Sequence, residues 1–230
     1  MERVIMFSGG LDSLIGWFYM DKPQAIYCKM GHKYQEKELA CINALQELIP
    51  DLDVKIVDAL NLGQFEEEEN AFIKNRNLHL AAIGSNFGDE IIIVGVKGDN
   101  VGDKSPDAFQ SFSRTLSLIN NSDILVMSPF WRDSKTNIIK WYINKGYPLE
   151  WLKTSISCYD PGLTACGKCP SCFRKWIALE DAGVECIDWF DNDLREWPGS
   201  REYLVKFSEG KYDLDRIAST LRVFLKYKLI

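Results

Sequence analysis

A chain of 230 residues with 46% hydrophobic and 26% charged side chains has ordinary globular composition and can bury a full core. No apolar run approaches the ~18 residues a membrane span needs, and a net charge of −6 argues against a nucleic-acid platform, which normally shows a basic face. The length suits one α/β domain at 1–150 with a smaller unit packed on it at 151–230.

Strand and helix patterns alternate along the chain. Apolar runs predict strands near 4–7, 25–29, 54–59, 90–96 and 123–128. Helical periodicity predicts helices near 12–20, 34–49, 78–87, 106–119 and 135–145, punctuated by Pro23, Pro50 and Gly88-Asp89. The unbroken run Ile91-Ile92-Ile93-Val94 requires burial on both faces, as in a parallel sheet covered by helices. The fold class is therefore α/β, a doubly wound parallel sheet. Ligands of such sheets collect outside the carboxyl ends of the strands. Ser8–Ser13, Met30-Gly31-His32, the loop after Val96 and the segment from Pro129 to Lys135 all follow strand ends, which directs them to one crevice. The acidic run at 66–69 reads as a solvated face. His79 reads as a packed core histidine, and His32, beside Gly31, as a candidate for function. The aromatic tail with Trp189 and Trp197, and an amphipathic helix at 214–228, pack against the body or a second subunit.

Two motifs carry chemistry. The first strand empties into Ser8-Gly9-Gly10-Leu11-Asp12-Ser13, and a helix starts at once with Leu11, Leu14, Ile15 and Phe18 on one face. The glycines let the backbone bend sharply and approach a ligand. The free N–H groups of the first helical turn then face an anion, and two hydroxyls add donors. No Lys-Ser/Thr follows the second glycine, so the loop is not a Walker A motif. The second motif is Cys158, Cys166, Cys169 and Cys172, four thiols within 15 residues. That spacing suits a tetrahedral zinc site with no open position, which is structural. An iron–sulfur cluster is an alternative. Disulfides are disfavoured because nothing at the N-terminus resembles a signal peptide, consistent with a cytoplasmic protein. Cys28, Cys41 and Cys186 read as small buried hydrophobes.

Ser-Gly-Gly-x-Asp-Ser resembles the PP-loop of the ATP pyrophosphatases (adenine nucleotide alpha hydrolase superfamily). With a four-cysteine knuckle near the C-terminus, the chain is similar to the 7-cyano-7-deazaguanine synthase family over about residues 4–183. Thr154-Ser155-Ile156-Ser157-Cys158-Tyr159, Arg174, Ala182-Gly183, Asn75-Arg76-Asn77, Gly95-Val96 and Lys135 agree with that family's segments. The resemblance implies ATP, Mg²⁺ and Zn²⁺, and an ATP-dependent ligase of queuosine biosynthesis. Its nucleotide would bind Phe7, Ser8, Gly9, Gly10, Leu11, Asp12, Ser13 and Gly95. Asp12 would act through magnesium, Lys135 and Arg76 on the pyrophosphate, and the four cysteines on zinc. The implied substrates are a deazapurine carboxylate and ammonia; nucleic acid is disfavoured by the net charge, no membrane is expected, and a homodimer is compatible. Met30-Gly31-His32-Lys33-Tyr34-Gln35 departs from the family's tyrosine-glycine-glutamine segment, and of its substrate loop only Pro106-Asp107 survives, followed by Ala108-Phe109. A ligase that stops at the amide or uses another amine, and a non-catalytic nucleotide-binding subunit, stay open as alternatives.

Overall fold

Alternation along the first strand sets the architecture. In the computed structural model, which describes residues 2–58, 60–68, 72–99, 101–160, 162–210 and 212–230, β1 (Arg3–Met6) sends Ile5 to one apolar cluster and Val4 and Met6 to another. With β2 (Gln24–Lys29), β3 (Val54–Asp58), β4 (Glu90–Ile92) and β5 (Leu125–Met127) it forms a five-stranded, wholly parallel sheet in the order β3-β2-β1-β4-β5. Ile5 sits opposite Ala25 on one side and Ile92 on the other, so β1 is central. The chain winds outward from β1 to β3, then returns to lay β4 on the opposite flank. The topological switch point therefore lies between β1 and β4, where doubly wound sheets open a crevice.

Helices cover both faces. The face bearing Ile5 carries α1 (Leu11–Tyr19), α2 (Gln35–Leu48), α5 (Lys135–Asn144) and α6 (Leu149–Thr154), with α7 (Pro170–Asp181) on their outside. The other face carries α3 (Arg76–Gly84) and α4 (Pro106–Asn120). Beyond α7, α8 (Gly199–Ser208) and α9 (Leu214–Tyr227) pack on it, with Phe173 touching Trp197, Tyr203 and Phe224. The tail thus packs on the body. Among the described residues no helix is long and apolar enough to cross a membrane.

Four expectations need correction. The strand expected over 90–96 ends at Ile92. Gly95 N–H donates to Ser128 Oγ at 2.9 Å and Ser128 Oγ–H donates to the Gly95 carbonyl at 2.7 Å, so a side chain replaces the ladder there. The fifth strand loses Ser128 for the same reason, and at its start Ile124 N–H donates to the Ser117 hydroxyl at 2.9 Å instead of to a neighbouring strand. The third helix begins at Arg76, not 78, because Asn75 takes the left-handed conformation (φ 60°) and starts the helix early; it ends at Gly84. On it, His79 is half-buried, not a core residue. The ends of two expected segments, Ala59 and Glu69, lie outside the described residues. Helices α6 and α8 had no forecast: six residues behind Pro148 are too few to show a period, and α8 lay within a segment read only as aromatic.

Candidate active site and four-cysteine knuckle

At the end of β1 the chain turns through Gly9 at φ +72°, a conformation that strains any L side chain. A Cβ there would also press on Ile42 and Cys41 of α2. The Cys41 thiol donates to the Gly9 carbonyl at 3.2 Å and to the Thr154 carbonyl at 3.3 Å, and burial pushes it up to about 11. It is a clamp on the turn and not a nucleophile. Gly10 is bare for a different reason, since a Cβ would lie 2.9 Å from Ser157 Oγ. The segment entering the knuckle lies directly across the loop, and Ile156 N–H donates to the Gly9 carbonyl at 3.3 Å.

Gly10 caps α1 without a side-chain acceptor, leaving the first-turn N–H groups for an anion. Both hydroxyls stand at that mouth. Ser13 Oγ donates to the Gly10 carbonyl at 2.9 Å and lies 3.3 Å from Ser8 Oγ, which accepts from Gly10 N–H. Asp12 points out of the same turn, with Oδ2 2.7 Å from Lys135 Nζ at the start of α5. Its Oδ1 is buried with no hydrogen-bond partner. An unsatisfied carboxylate oxygen beside an anion cradle is costly unless a cation meets it. The pair fits a hard divalent ion of the kind that takes one carboxylate plus phosphate oxygens.

This mouth opens on a cleft of about 950 Å³ at the switch point, at the upper end of the usual ~300–1,000 Å³ for ligand pockets. Phe7, Ser8, Gly10, Asp12, Ser13, Lys135 and Arg76 all line it. Leu11 lies in the core at 1% exposure, supporting the helix, and Gly9 makes the turn. Gly95 packs its bare Cα against the Trp131 ring, which explains the glycine without a ligand. Across the cleft Arg76 donates to the Tyr34 hydroxyl at 3.2 Å and Arg174 to the Tyr159 hydroxyl at 3.0 Å. Burial pushes the Tyr34 phenol up to about 12 against the pull of Arg76. His32 is buried in the same wall, its Nε2 3.0 Å from Glu38 Oε2, which also accepts from the Tyr27 hydroxyl.

Sequence reasoning passed over several charged groups of the cleft, among them Lys104, Asp99 and Lys37. Lys104 meets Asp99 at 2.8 Å. Burial works to raise the Asp99 carboxyl, but the charges of Lys104 and Lys135 and the Lys104 hydrogen bond hold it below the usual range. Lys37, on α2, is 1% exposed and spends one donor on the Thr164 carbonyl at 2.9 Å. Its neighbours in sequence, Glu36 and Glu38, are charged, so it reads as part of a solvated helix face.

The four cysteine sulfurs, three of them buried, lie within 4.8 Å of one another. A tetrahedron with ~2.3 Å metal–sulfur bonds has edges of about 3.8 Å, so the set suits one ion. Every cysteine is free, which removes the disulfide reading. N–H groups of Asp160 and Cys166 point at Cys158 Sγ, that of Lys168 at Cys166, and that of Cys172 at Cys169, at 3.4–3.5 Å. Such donors stabilise thiolates. Gly167 (φ +67°) leaves no room for a Cβ against the Asn192 backbone. Cys158 also lines the cleft, so the knuckle is part of its wall.

The family model described as "Queuosine biosynthesis protein QueC" matches residues 2–183. The chain belongs to this family. Among similar curated proteins, the 7-cyano-7-deazaguanine synthase of Methanosarcina mazei is 30% identical over 148 residues, 60% of this chain and 63% of the relative. That of Methanoculleus marisnigri is 28% identical over 216 residues, 80% of this chain and 96% of the relative. That of Methanospirillum hungatei is 26% identical, covering 80% and 97%. The QueC match ends just after α7, and α8 and α9 lie outside it.

Proposed function

We propose that this QueC-family chain, an ATP-dependent C–N bond-forming synthase of the queuosine pathway, converts 7-carboxy-7-deazaguanine to 7-cyano-7-deazaguanine in the cytoplasm. The observation that carries the reading is the uncapped start of α1 with the unpartnered Asp12 oxygen, both facing the switch-point cleft. ATP lies with its phosphates on the Ser8–Ser13 turn. Magnesium held by Asp12 would neutralise phosphate charge. The substrate carboxylate attacks the α-phosphorus, and Lys135 and Arg76 offset charge on the departing pyrophosphate. Ammonia then attacks the acyl carbon and AMP leaves, giving the amide. A second adenylation, at the amide oxygen, followed by loss of AMP and a proton, gives the nitrile. Cys158, Cys166, Cys169 and Cys172 would hold zinc in a structural role. Bound there, the ion would keep the segment with Ser157 and Cys158 against the loop.

Purified protein with Mg-ATP, ammonium and 7-carboxy-7-deazaguanine should yield AMP and nitrile by mass spectrometry. Intact ATP would overturn adenylation of this acid. Amide or an adduct without nitrile would select a ligase that stops earlier or uses another amine. One observation favours that second reading: Pro106 and Asp107 are exposed outside the cleft, and Phe109 is buried against Trp131 at 5.1 Å. The remnant of the family's substrate loop therefore does not face the cleft.

A further inference from the structure

Residues 184–230 lie beyond the family match, and relatives matched along 96–97% of their own length leave a fifth of this chain without a counterpart. This extension does more than cover α7. Lys206, Tyr212 and Arg216 reach the cleft itself. It is fastened to the loop that follows β4 at the switch point. Lys97 pairs with Asp215 at 2.5 Å, and Arg216 Nη2 donates to the Gly98 carbonyl at 2.9 Å. Gly98, at φ +83°, leaves space only for the Asp213 carboxylate, which caps α9 by accepting from Arg216 N–H at 3.1 Å.

Arg216 shares more than the main cleft with the phosphate machinery. A small cavity of about 50 Å³ is bordered by Lys135, Arg174 and Arg216 together, and all three also line the large cleft. Lys135 is the residue bonded to Asp12 beside the cradle. The charges around them do not balance. Arg174 donates to the Tyr159 hydroxyl and not to a carboxylate, and Arg216 meets a carbonyl, the face of Tyr212 and, only at 4.0 Å, Asp213. Asp12 and Asp99 are already matched by Lys135 and Lys104. A guanidinium has five donors, so most of those on Arg216 remain for a ligand. Surplus cations on a concave wall concentrate a polyanion there.

We infer that Arg216, supplied by the C-terminal extension, binds the terminal phosphates of the nucleotide and the pyrophosphate leaving group, in company with Arg174 and Lys135. When the acid's oxygen bonds to the α-phosphorus, the bond to the bridging oxygen breaks and its electron pair stays on pyrophosphate. Arg216 meets that added charge with bidentate donors. The inference rests on ATP occupying the Ser8–Ser13 turn, but not on which carboxylate is activated.

The test is calorimetric titration of the intact, metal-loaded chain with AMP, Mg-ATP and Mg-pyrophosphate, for wild type, R216A and R216K. Losing one charged contact should weaken Mg-pyrophosphate and Mg-ATP about 10- to 100-fold in R216A. AMP affinity should stay within about threefold, and R216K should recover part of the loss because it restores the charge but not the fork. Unchanged pyrophosphate affinity in R216A would overturn the inference. So would an equal loss for AMP, which would mark Arg216 as a brace for the Gly98 loop. A wild-type protein that binds no nucleotide at all would sink the nucleotide reading beneath it.

Discussion

The two ends of the cleft are built on different principles. The end proposed for phosphate is local: six consecutive residues, two glycines and one helix start make the cradle, and each glycine has a nearby steric reason. The opposite wall is assembled from distant pieces, with the loop after β4, the knuckle and the extension meeting through contacts such as Lys97–Asp215 and Arg216–Gly98. At the first, Gly9 is fixed by its positive φ and Gly10 by the Ser157 side chain. The second is held by separate contacts between segments far apart in the chain.

The knuckle joins the two ends, so breaking it should have the largest effect. Cys169→Ser should lower bound metal from one ion per chain to well below one, measured by elemental analysis, and end AMP formation. The melting temperature should fall by about 10 °C, since ~3 kcal/mol or more is lost at roughly 2–4 °C per kcal/mol in a chain this long. Metal lost with AMP formation retained would show that the knuckle does not hold Ser157 against the cradle.

Next in size is the cradle itself. Asp12→Asn removes the Lys135 partner and a cation ligand, and AMP formation should drop by ~10²–10³ with a raised magnesium requirement. Gly10→Ala, whose Cβ meets Ser157, should cost ~1–3 kcal/mol of overpacking, read as a tenfold or greater weakening of Mg-ATP. A Gly10→Ala, Ser157→Gly double variant should recover most of it. Failure to recover would mean that Gly10 is needed for the ligand's own approach.

How much was legible follows the same division. The cradle, the central strand and the four cysteines could be read because their physics is short-range: apolar period, glycine conformation, thiol spacing. Arg76 and Lys135 came only through resemblance, because nothing local says that a lysine at the start of α5 will meet Asp12 across 123 residues. Arg216 and Lys37 gave no signal. Each sits on an amphipathic helix where a cleft-facing cation looks like a solvated one. Gly95 is a different case: the resemblance makes it a nucleotide contact, and the Trp131 ring by itself accounts for the missing side chain.

The smallest expected effect concerns how firmly the extension is held. Glu180 and Asp181 on α7 are enclosed, meeting Lys226 at 2.7 Å and Arg222 at 2.6 and 2.8 Å on α9. Burial works to raise both carboxyls, but hydrogen bonds from Lys226 and the Cys186 N–H, and from Arg222 and Ser219, hold them below the ordinary range. A depressed carboxyl contributes stability that is complete above its unfolded value, ~4, and is lost as pH falls through the folded one. Lys226 is 41% exposed, so Lys226→Ala should cost only ~1 kcal/mol at pH 7. Hydrogen exchange should show that loss in α9 and not in β1. The difference from wild type should shrink on acidification as Glu180 becomes neutral, with metal content followed to separate any opening of the knuckle. Equal loss of protection in α9 and β1 would mean that the extension and the sheet unfold as one unit, and that the second wall is no more separable than the first.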